Sequence, residues 1–489
     1  MSFLVAGTSS DAGKSLITAG LCRVARRRGI NVVPFKAQNM SNNSMVVADG
    51  EIGRAQYLQA IAAGVTPSSV LNPVLLKPGS DRRAHVILRG QPAGELRAGE
   101  YATGRRHLAE AAFEAYRELA AQYDLVICEG AGSPAEINLR EGDYTNMGLA
   151  RQFGLPVVLV GDIDRGGVLA SIYGTWGLLE GEDRGLLAGY LINKFRGDQA
   201  VLDPGLEEIS RRTGLSNFGV LPWLPGMWVD GEDALEVARW RGEDLGGGGS
   251  TEGALTVAVV RMPRISNATD VDALAAEPGV RVTVTTDPED VAAADLAVLP
   301  GSRATLTDLA WLRSTGIAAA VVARAQAGRP VLGICGGFQM LGRTVVDPVE
   351  SGSPEPVDGL GLLPVSVEFS PDKVLGRPQG EWRGVPVEGY EIHHGRPTLL
   401  DGGDEGFLGG VRVGQTWGTM WHGALESDEF RRSWLAEIAK AAGREWVPSE
   451  APGFAARREM MLDSVADALE EHADVTALLG LCKDGGTRS

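Results

Sequence analysis

The chain has 489 residues, 44% of them hydrophobic and 22% charged, with a formal net charge of −17. That length suggests roughly two or three domains with ample core, and the acidic balance argues against nucleic acid or an anionic membrane as a partner of the whole surface, while leaving room for a local basic pocket. Four cysteines are too few for a disulfide scaffold and fit a reducing cytoplasm; the N-terminus lacks the basic region of a signal peptide, and no apolar run is long enough to span a bilayer.

Residues 3–6 read as a buried strand, followed by Gly7-Thr8-Ser9-Ser10-Asp11-Ala12-Gly13-Lys14-Ser15 and a helix to Arg28. This is the pattern of a phosphate-binding loop, with five residues between the glycines in place of the usual four. Backbone N–H groups of the loop, from Thr8 to Gly13, and the helix N-terminus suit phosphates. Lys14 is placed to neutralise the β and γ phosphates of ATP, and Ser15 to ligate Mg²⁺.

A second strand over 32–35 ends at Lys36, whose place lets it span an ATP phosphate and a substrate carboxylate. Residues 37–44 read as polar and irregular, in the position where open α/β sheets bind ligands. Ile52-Gly53-Arg54-Ala55-Gln56 opens a helix, and residues 72–78 read as a loop carrying Lys77, before Asp81-Arg82-Arg83. Cations gathered beside an ATP site point to an anionic co-substrate.

The strand over 124–129 ends in Glu129, placed to hold Mg²⁺ directly or through water. The strand pattern recurs over 156–160 and 187–192. Strands alternating with helices predict a mostly parallel sheet with flanking helices. Gly246-Gly247-Gly248-Gly249-Ser250 marks a flexible linker over 242–253. The expected organisation is an ATP-dependent domain over 1–241, a second α/β domain over 254–446, and C-terminal helices with a polar tail over 447–489.

In the second domain, Val331-Leu332 leads into Gly333-Ile334-Cys335-Gly336-Gly337 and then a helix. A strand-to-helix turn projects its central side chain, and the helix N-terminus favours a thiolate there. Trp417-Gly418-Thr419-Met420-Trp421-His422 looks like a strand ending in a histidine. Cys335 with a distant His422 is the pairing that makes a nucleophile at neutral pH. The N–H groups of Gly336 and of Gly301, which ends another strand, are candidates for an oxyanion hole, and Gly337 and Gln339 complete the expected glutamine-binding set. His393-His394 invites a metal reading, but adjacent histidines on a strand point to opposite faces and no Cys or third His lies nearby.

A phosphate loop joined to a Cys/His domain is what a glutamine-dependent amide ligase requires. The sequence resembles the cobyric acid synthase family over nearly its whole length. The resemblance rests on the phosphate loop, Pro34-Phe35-Lys36-Ala37-Gln38-Asn39-Met40-Ser41-Asn42-Asn43, Glu129-Gly130-Ala131-Gly132-Ser133-Pro134-Ala135-Glu136, Asp162-Ile163-Asp164-Arg165-Gly166-Gly167, Ile192-Asn193-Lys194-Phe195-Arg196-Gly197-Asp198, the Cys335 turn, and Gly389-Tyr390-Glu391-Ile392-His393. It implies a dethiobiotin-synthetase-like domain and a class I glutamine amidotransferase domain. It also implies amidation of the b, d, e and g carboxylates of (adenosyl)cobyrinic acid a,c-diamide, with glutamine and a corrinoid as substrates. By the same resemblance Asn193 would touch adenine and Asp49 the metal.

Two positions depart from the pattern. No Glu stands two residues after His422, so the third triad member is unassigned, Glu426 being merely near in sequence. Trp421 and His394 stand where Leu and Met are expected and would reshape the rim of the glutamine pocket. The alternatives on the same residues are a ligase acting on the a and c carboxylates or on another tetrapyrrole, a partition-type ATPase scaffold, and a binding module with an inactive glutaminase. Oligomeric state is not readable.

Overall fold

The computed structural model describes residues 1–80, 83–97, 105–225, 254–400 and 405–481. The expected linker over 242–253 and the Asp81-Arg82 pair lie outside the described residues. The chain divides into two units: Met1–Ser41 with Val47–Val229 and Arg458–Ser489, and Asn42–Val46 with Asp230–Arg457.

In the first unit, strands β1 (Ser2–Gly7), β2 (Val32–Phe35), β3 (Leu125–Glu129), β4 (Val157–Asp162), β5 (Leu187–Phe195) and β6 (Ser216–Pro222) form one sheet in the order β6-β5-β4-β1-β3-β2. Every pairing is parallel. Both faces are covered, which is why these strands are apolar runs rather than alternating ones. Leu4 and Ala6 of β1 pack with Ala112, Tyr116 and Ile172 on one face. Phe3 and Val5 pack on the other with Ile17 and Leu21 of helix α1 (Lys14–Arg27).

The C-terminal helix Phe454–His472, expected as part of a separate tail, belongs to that second face. Leu462, Val465 and Leu469 lie in its core, and Gly20 of α1 is approached so closely that a Cβ there would stand 2.5 Å from Leu469. Arg27 of α1 pairs with Asp463 at 2.8 Å and Asp467 at 2.6 Å along the same helix.

Two segments read as irregular are strands. Gln38–Met40 pairs in parallel with Val74–Ser80, which continues antiparallel to Arg83–Leu88 and on to Gln91–Arg97. Polar side chains hid the first, and Pro73 before the second and Pro78 within it hid that one, although Val74, Leu75 and Leu76 are fully buried. Helix α2 (Arg54–Ala63) starts where expected.

The second unit is built on β7 (Leu255–Val260), β8 (Val280–Thr285), β9 (Leu296–Leu299), β10 (Val331–Ile334), β11 (Glu405–Phe407), β12 (Gly410–Val413) and β13 (Thr416–Thr419), ordered β8-β7-β9-β10-β13-β12-β11. The first five strands in that order pair in parallel and the last two antiparallel. A smaller sheet contains Val365–Gly376 and Glu391–Leu399, paired antiparallel. Among the described residues no single helix is long and apolar enough to cross a membrane.

Candidate active sites

The carboxyl ends of β1 to β5 bring the nucleotide-site residues of the first unit to one edge of its sheet. The loop after β1 holds Asp11 (φ 57) and Gly13 (φ 97) in the left-handed region. Gly13 is obligatory here, because a Cβ would lie 2.1 Å from Asn193 Nδ2. The loop is fastened from β5: Asn193 Nδ2 donates to the Ala12 carbonyl at 2.9 Å, and Lys194 Nζ to the Asp11 carbonyl at 2.8 Å. Lys194 also pairs with Asp162 at the end of β4, at 2.8 Å. The Asn193 amide, expected on adenine, thus holds the loop. Thr8 N–H donates to the Val160 carbonyl, and Lys14 Nζ to the Ser9 carbonyl at 3.0 Å.

Glu129 is fully buried at the end of β3. Its Oε1 accepts from Ser15 Oγ at 2.8 Å and Lys36 Nζ at 2.9 Å, and its Oε2 accepts from Gln59 Nε2 at 2.5 Å. Burial alone would raise its pKa. The Lys36 charge and bond, with the Gln59 and Ser15 donors, outweigh burial and hold the carboxyl below its ordinary value. Ser15 and Glu129 are hard oxygen donors of the kind Mg²⁺ takes when it is shared with nucleotide phosphates and water. No group of three or more His, Cys, Asp or Glu gathers as an all-protein cage among the described residues. Asp49, expected as a metal ligand, is instead exposed in a turn where its carboxylate accepts from the Ser69 N–H and from Ser69 Oγ at 2.7 Å.

Further cations lie buried in the same unit. Lys77 pairs with Glu51. Arg105 donates to Gln38 Oε1, which also accepts from Tyr144 Oη at 2.6 Å.

In the second unit β10 runs into Cys335, whose backbone (φ 49, ψ −107) is strained for a residue with a Cβ, and then into helix α3 (Gly336–Leu341). The turn closes tightly: a Cβ on Gly337 would stand 2.0 Å from the Leu299 carbonyl oxygen. Gly337 N–H donates to the Pro300 carbonyl at 3.1 Å, so this N–H, expected in the glutamine-binding set, serves the turn. Cys335 N–H donates to the Thr419 carbonyl at 2.8 Å, tying the turn to the end of β13.

His422 lies just beyond β13 and is 1% exposed. Its Nδ1 meets Asp270 Oδ2 at 2.6 Å, and Asp270 Oδ1 accepts the Gly423 N–H at 2.8 Å. Asp270 sits in the short helical turn Ala268–Val271 and is itself buried. A carboxylate can only accept, so Nδ1 carries the proton and Nε2 is the nitrogen left for the Cys335 sulfur. Burial lowers the His422 pKa, but the Asp270 carboxylate and the Cys335 sulfur outweigh it and push it up to about 10. Asp270, not Glu426, is the group on the histidine.

Tyr390 stacks on the imidazole with ring centroids 5.3 Å apart and exchanges backbone hydrogen bonds with His422, each 2.9 Å. Gly301 also approaches the ring, a Cβ there falling 3.0 Å from His422 Cε1. Gln339 is buried one turn after Cys335, its Oε1 accepting from Thr305 Oγ1 at 3.2 Å. Asp308, 2.6 Å from Ser302 Oγ, is pushed up to about 6 by burial, which the Ser302 and Arg264 donors only partly offset. Of the departures from the family pattern, Trp421 packs against Gly380 and Gly409, and His394 Nδ1 donates to the Ser370 carbonyl at 2.9 Å.

Two family models match the chain: a CobQ/CobB/MinD/ParA nucleotide binding domain over residues 3–231, and a CobB/CobQ-like glutamine amidotransferase domain over residues 256–430. Curated relatives match almost end to end. A cobyric acid synthase of Cutibacterium acnes is 66% identical over 484 residues, covering 98% of this chain and 99% of its own length. One of Mycolicibacterium gilvum is 57% identical over 489 residues, covering 99% and 96%. One of Mycobacterium tuberculosis is 56% identical over 491 residues, covering 99% and 97%.

Proposed function

Because the chain belongs to the cobyric acid synthase family, whose reaction is a glutamine-dependent amidation in cobalamin biosynthesis, we propose that it amidates the b, d, e and g carboxylates of (adenosyl)cobyrinic acid a,c-diamide, consuming ATP. The observation that carries this reading is the pairing of two half-sites on one chain: a phosphate loop whose Ser15 hydroxyl meets Glu129, and Cys335 at a strained turn beside a His422–Asp270 pair.

In the first half-reaction a corrin carboxylate oxygen attacks the γ-phosphorus of ATP and ADP leaves, giving an acyl phosphate. Lys14 and the loop N–H groups offset the phosphate charge. Ser15 and Glu129 would hold Mg²⁺, which supplies further charge neutralisation when bound. Lys36, buried against Glu129, would span an ATP phosphate and the corrin carboxylate. Ammonia then attacks the acyl carbon and phosphate leaves.

In the second half-reaction the Cys335 thiolate attacks the glutamine carboxamide carbon, and N–H groups of Gly301 and Gly336 face the developing oxyanion. The raised pKa of His422 keeps it protonated at neutral pH, so it can give its Nε2 proton to the departing ammonia. It then takes a proton from the water that hydrolyses the thioester to glutamate. Gln339 contributes to glutamine binding. Cys22 and Cys335 are free thiols, which suits a cytoplasmic enzyme.

The test is mass spectrometry of the products formed from cobyrinic acid a,c-diamide, ATP, Mg²⁺ and glutamine. Successive replacement of the remaining peripheral carboxylates by amides is expected. An unchanged a,c-diamide, alongside amidation of unamidated cobyrinic acid at a and c, would overturn the choice of carboxylates.

A further inference from the structure

The turn that carries Asp270 is held by a reciprocal clasp. Asn267, immediately before it, adopts the left-handed conformation (φ 49, ψ 45) and presents its Oδ1 to the Ser44 N–H at 2.9 Å. Asn43 returns the contact, its Oδ1 accepting the Ala268 N–H at 3.2 Å. Asn43, Ser44 and Asn267 are all buried, where a lost partner leaves an unsatisfied polar group. Next along the chain, Val46 packs on Tyr390 and Ile392, and Tyr390 is the ring stacked on His422.

Residues 42–46 therefore touch both supports of the imidazole: the turn bearing Asp270 and the aromatic ring on its face. They are counted with the second unit, although the residues on either side of them in sequence are counted with the first. Nothing else in the proposed chemistry accounts for a clasp of two amides at this place.

We propose that Asn43 and Asn267 are positioning residues for the glutaminase half-reaction, acting through Asp270 on His422; this rests on the reading of Cys335, His422 and Asp270 as the glutaminase triad. A carboxylate displaced by even a fraction of an ångström no longer fixes the tautomer and tilt of the imidazole, and misplacements of about 1 Å can cost about a hundredfold in rate.

The experiment uses the full-length protein with Asn43→Ala, Asn43→Asp and Asn267→Gly. The second retains an oxygen acceptor, and the third keeps the left-handed backbone while removing the side-chain oxygen. Steady-state glutamine hydrolysis, its pH profile and ammonium-supported corrinoid amidation are measured for each, with Asp270→Asn in the same series.

Asn43→Ala and Asn267→Gly are expected to lose about tenfold or more in glutaminase kcat, with KM for glutamine little changed and the alkaline limb moved to lower pH. Ammonium-supported synthesis should persist, and Asn43→Asp should recover much of the loss. Unchanged glutaminase kcat and pH profile in both variants would overturn the inference. So would parallel loss of both activities with a lowered Tm and an unmoved pH profile, the mark of a merely structural clasp. Full glutaminase activity in Asp270→Asn would instead sink the triad reading beneath it.

Discussion

Replacing Asp270 with Asn removes one negative charge 2.6 Å from His422 Nδ1 and almost no volume. With the carboxylate present, the imidazole is pushed from 6.5 up to about 10, against a burial effect that lowers it. Without it, burial has less to oppose it and His422 deprotonates at a lower pH. The amide can also turn its NH₂ toward Nδ1, which would force the proton onto Nε2 and misdirect the ring. Loss of correctly placed acid–base catalysis costs about 10²- to 10⁴-fold, or about 3–5 kcal/mol of transition-state stabilisation.

Glutamate release from glutamine, followed from neutral to alkaline pH, should therefore show kcat reduced within that range and its alkaline limb shifted down. Ammonium-supported synthesis should be spared. Stability carries the same signature. His422 holds its proton up to about pH 10 in the folded protein against about 6.5 for an ordinary histidine. Its contribution is thus fully present below pH 6.5 and lost as pH rises through about 10. In Asp270→Asn that alkaline loss should flatten. Near-parental kcat with an unmoved alkaline limb would refute the argument.

Lys14→Ala should abolish amidation with glutamine or ammonium alike, because phosphate charge is left unbalanced, while glutamine hydrolysis continues; normal amidation would remove the phosphate loop from the mechanism. Cys335→Ser should stop glutamine-dependent synthesis yet retain synthesis from ammonium at mildly alkaline pH, read as product formed with ammonium chloride in place of glutamine. Each amidation deletes a negative charge from the corrinoid, so partly amidated intermediates should bind more weakly and appear free during turnover; a time course holding only starting material and final product would count against recognition by buried cations. Leu462→Ala, in the core between α1 and the C-terminal helix, should destabilise the protein by about 2–5 kcal/mol, visible as a lowered midpoint in denaturant.

What the sequence disclosed was mostly local. The phosphate loop, the Cys335 turn and the strand ending in Glu129 each advertise themselves within a dozen residues, because a strand, a glycine and a helix start must be contiguous. Partners set by the fold were silent. Asp270 reaches His422 across 152 residues of sequence, and Asp270 in Asn267-Ala268-Thr269-Asp270-Val271-Asp272 carries no motif. Asn193 was legible as a nucleotide-site residue, but its bond to Ala12 spans 181 residues, so its use as a fastener was not. Backbone groups mislead in the same way: whether the Gly337 N–H is available depends on Pro300, which only the packing of β9 beside β10 brings near.

The C-terminal helix has a consequence for how the protein is made. The face of α1 that it covers includes Gly20, where a Cβ would stand 2.5 Å from Leu469, and Arg23 and Arg27, which pair with Glu459 and Asp463, all translated before the segment Asp230–Arg457. Their partners from Arg458 onward follow only after the whole segment Asp230–Arg457 has been synthesised. At about 5–20 residues per second that segment alone takes on the order of ten to fifty seconds. During that interval the nascent nucleotide-binding unit lacks the Leu462, Val465 and Leu469 side chains of its core. Arg23 and Arg27 meet Glu459, Asp463 and Asp467 only when the last long helix arrives. The nucleotide-binding unit is thus completed only after the whole of Asp230–Arg457 has been made, although β1 and the phosphate loop precede that segment.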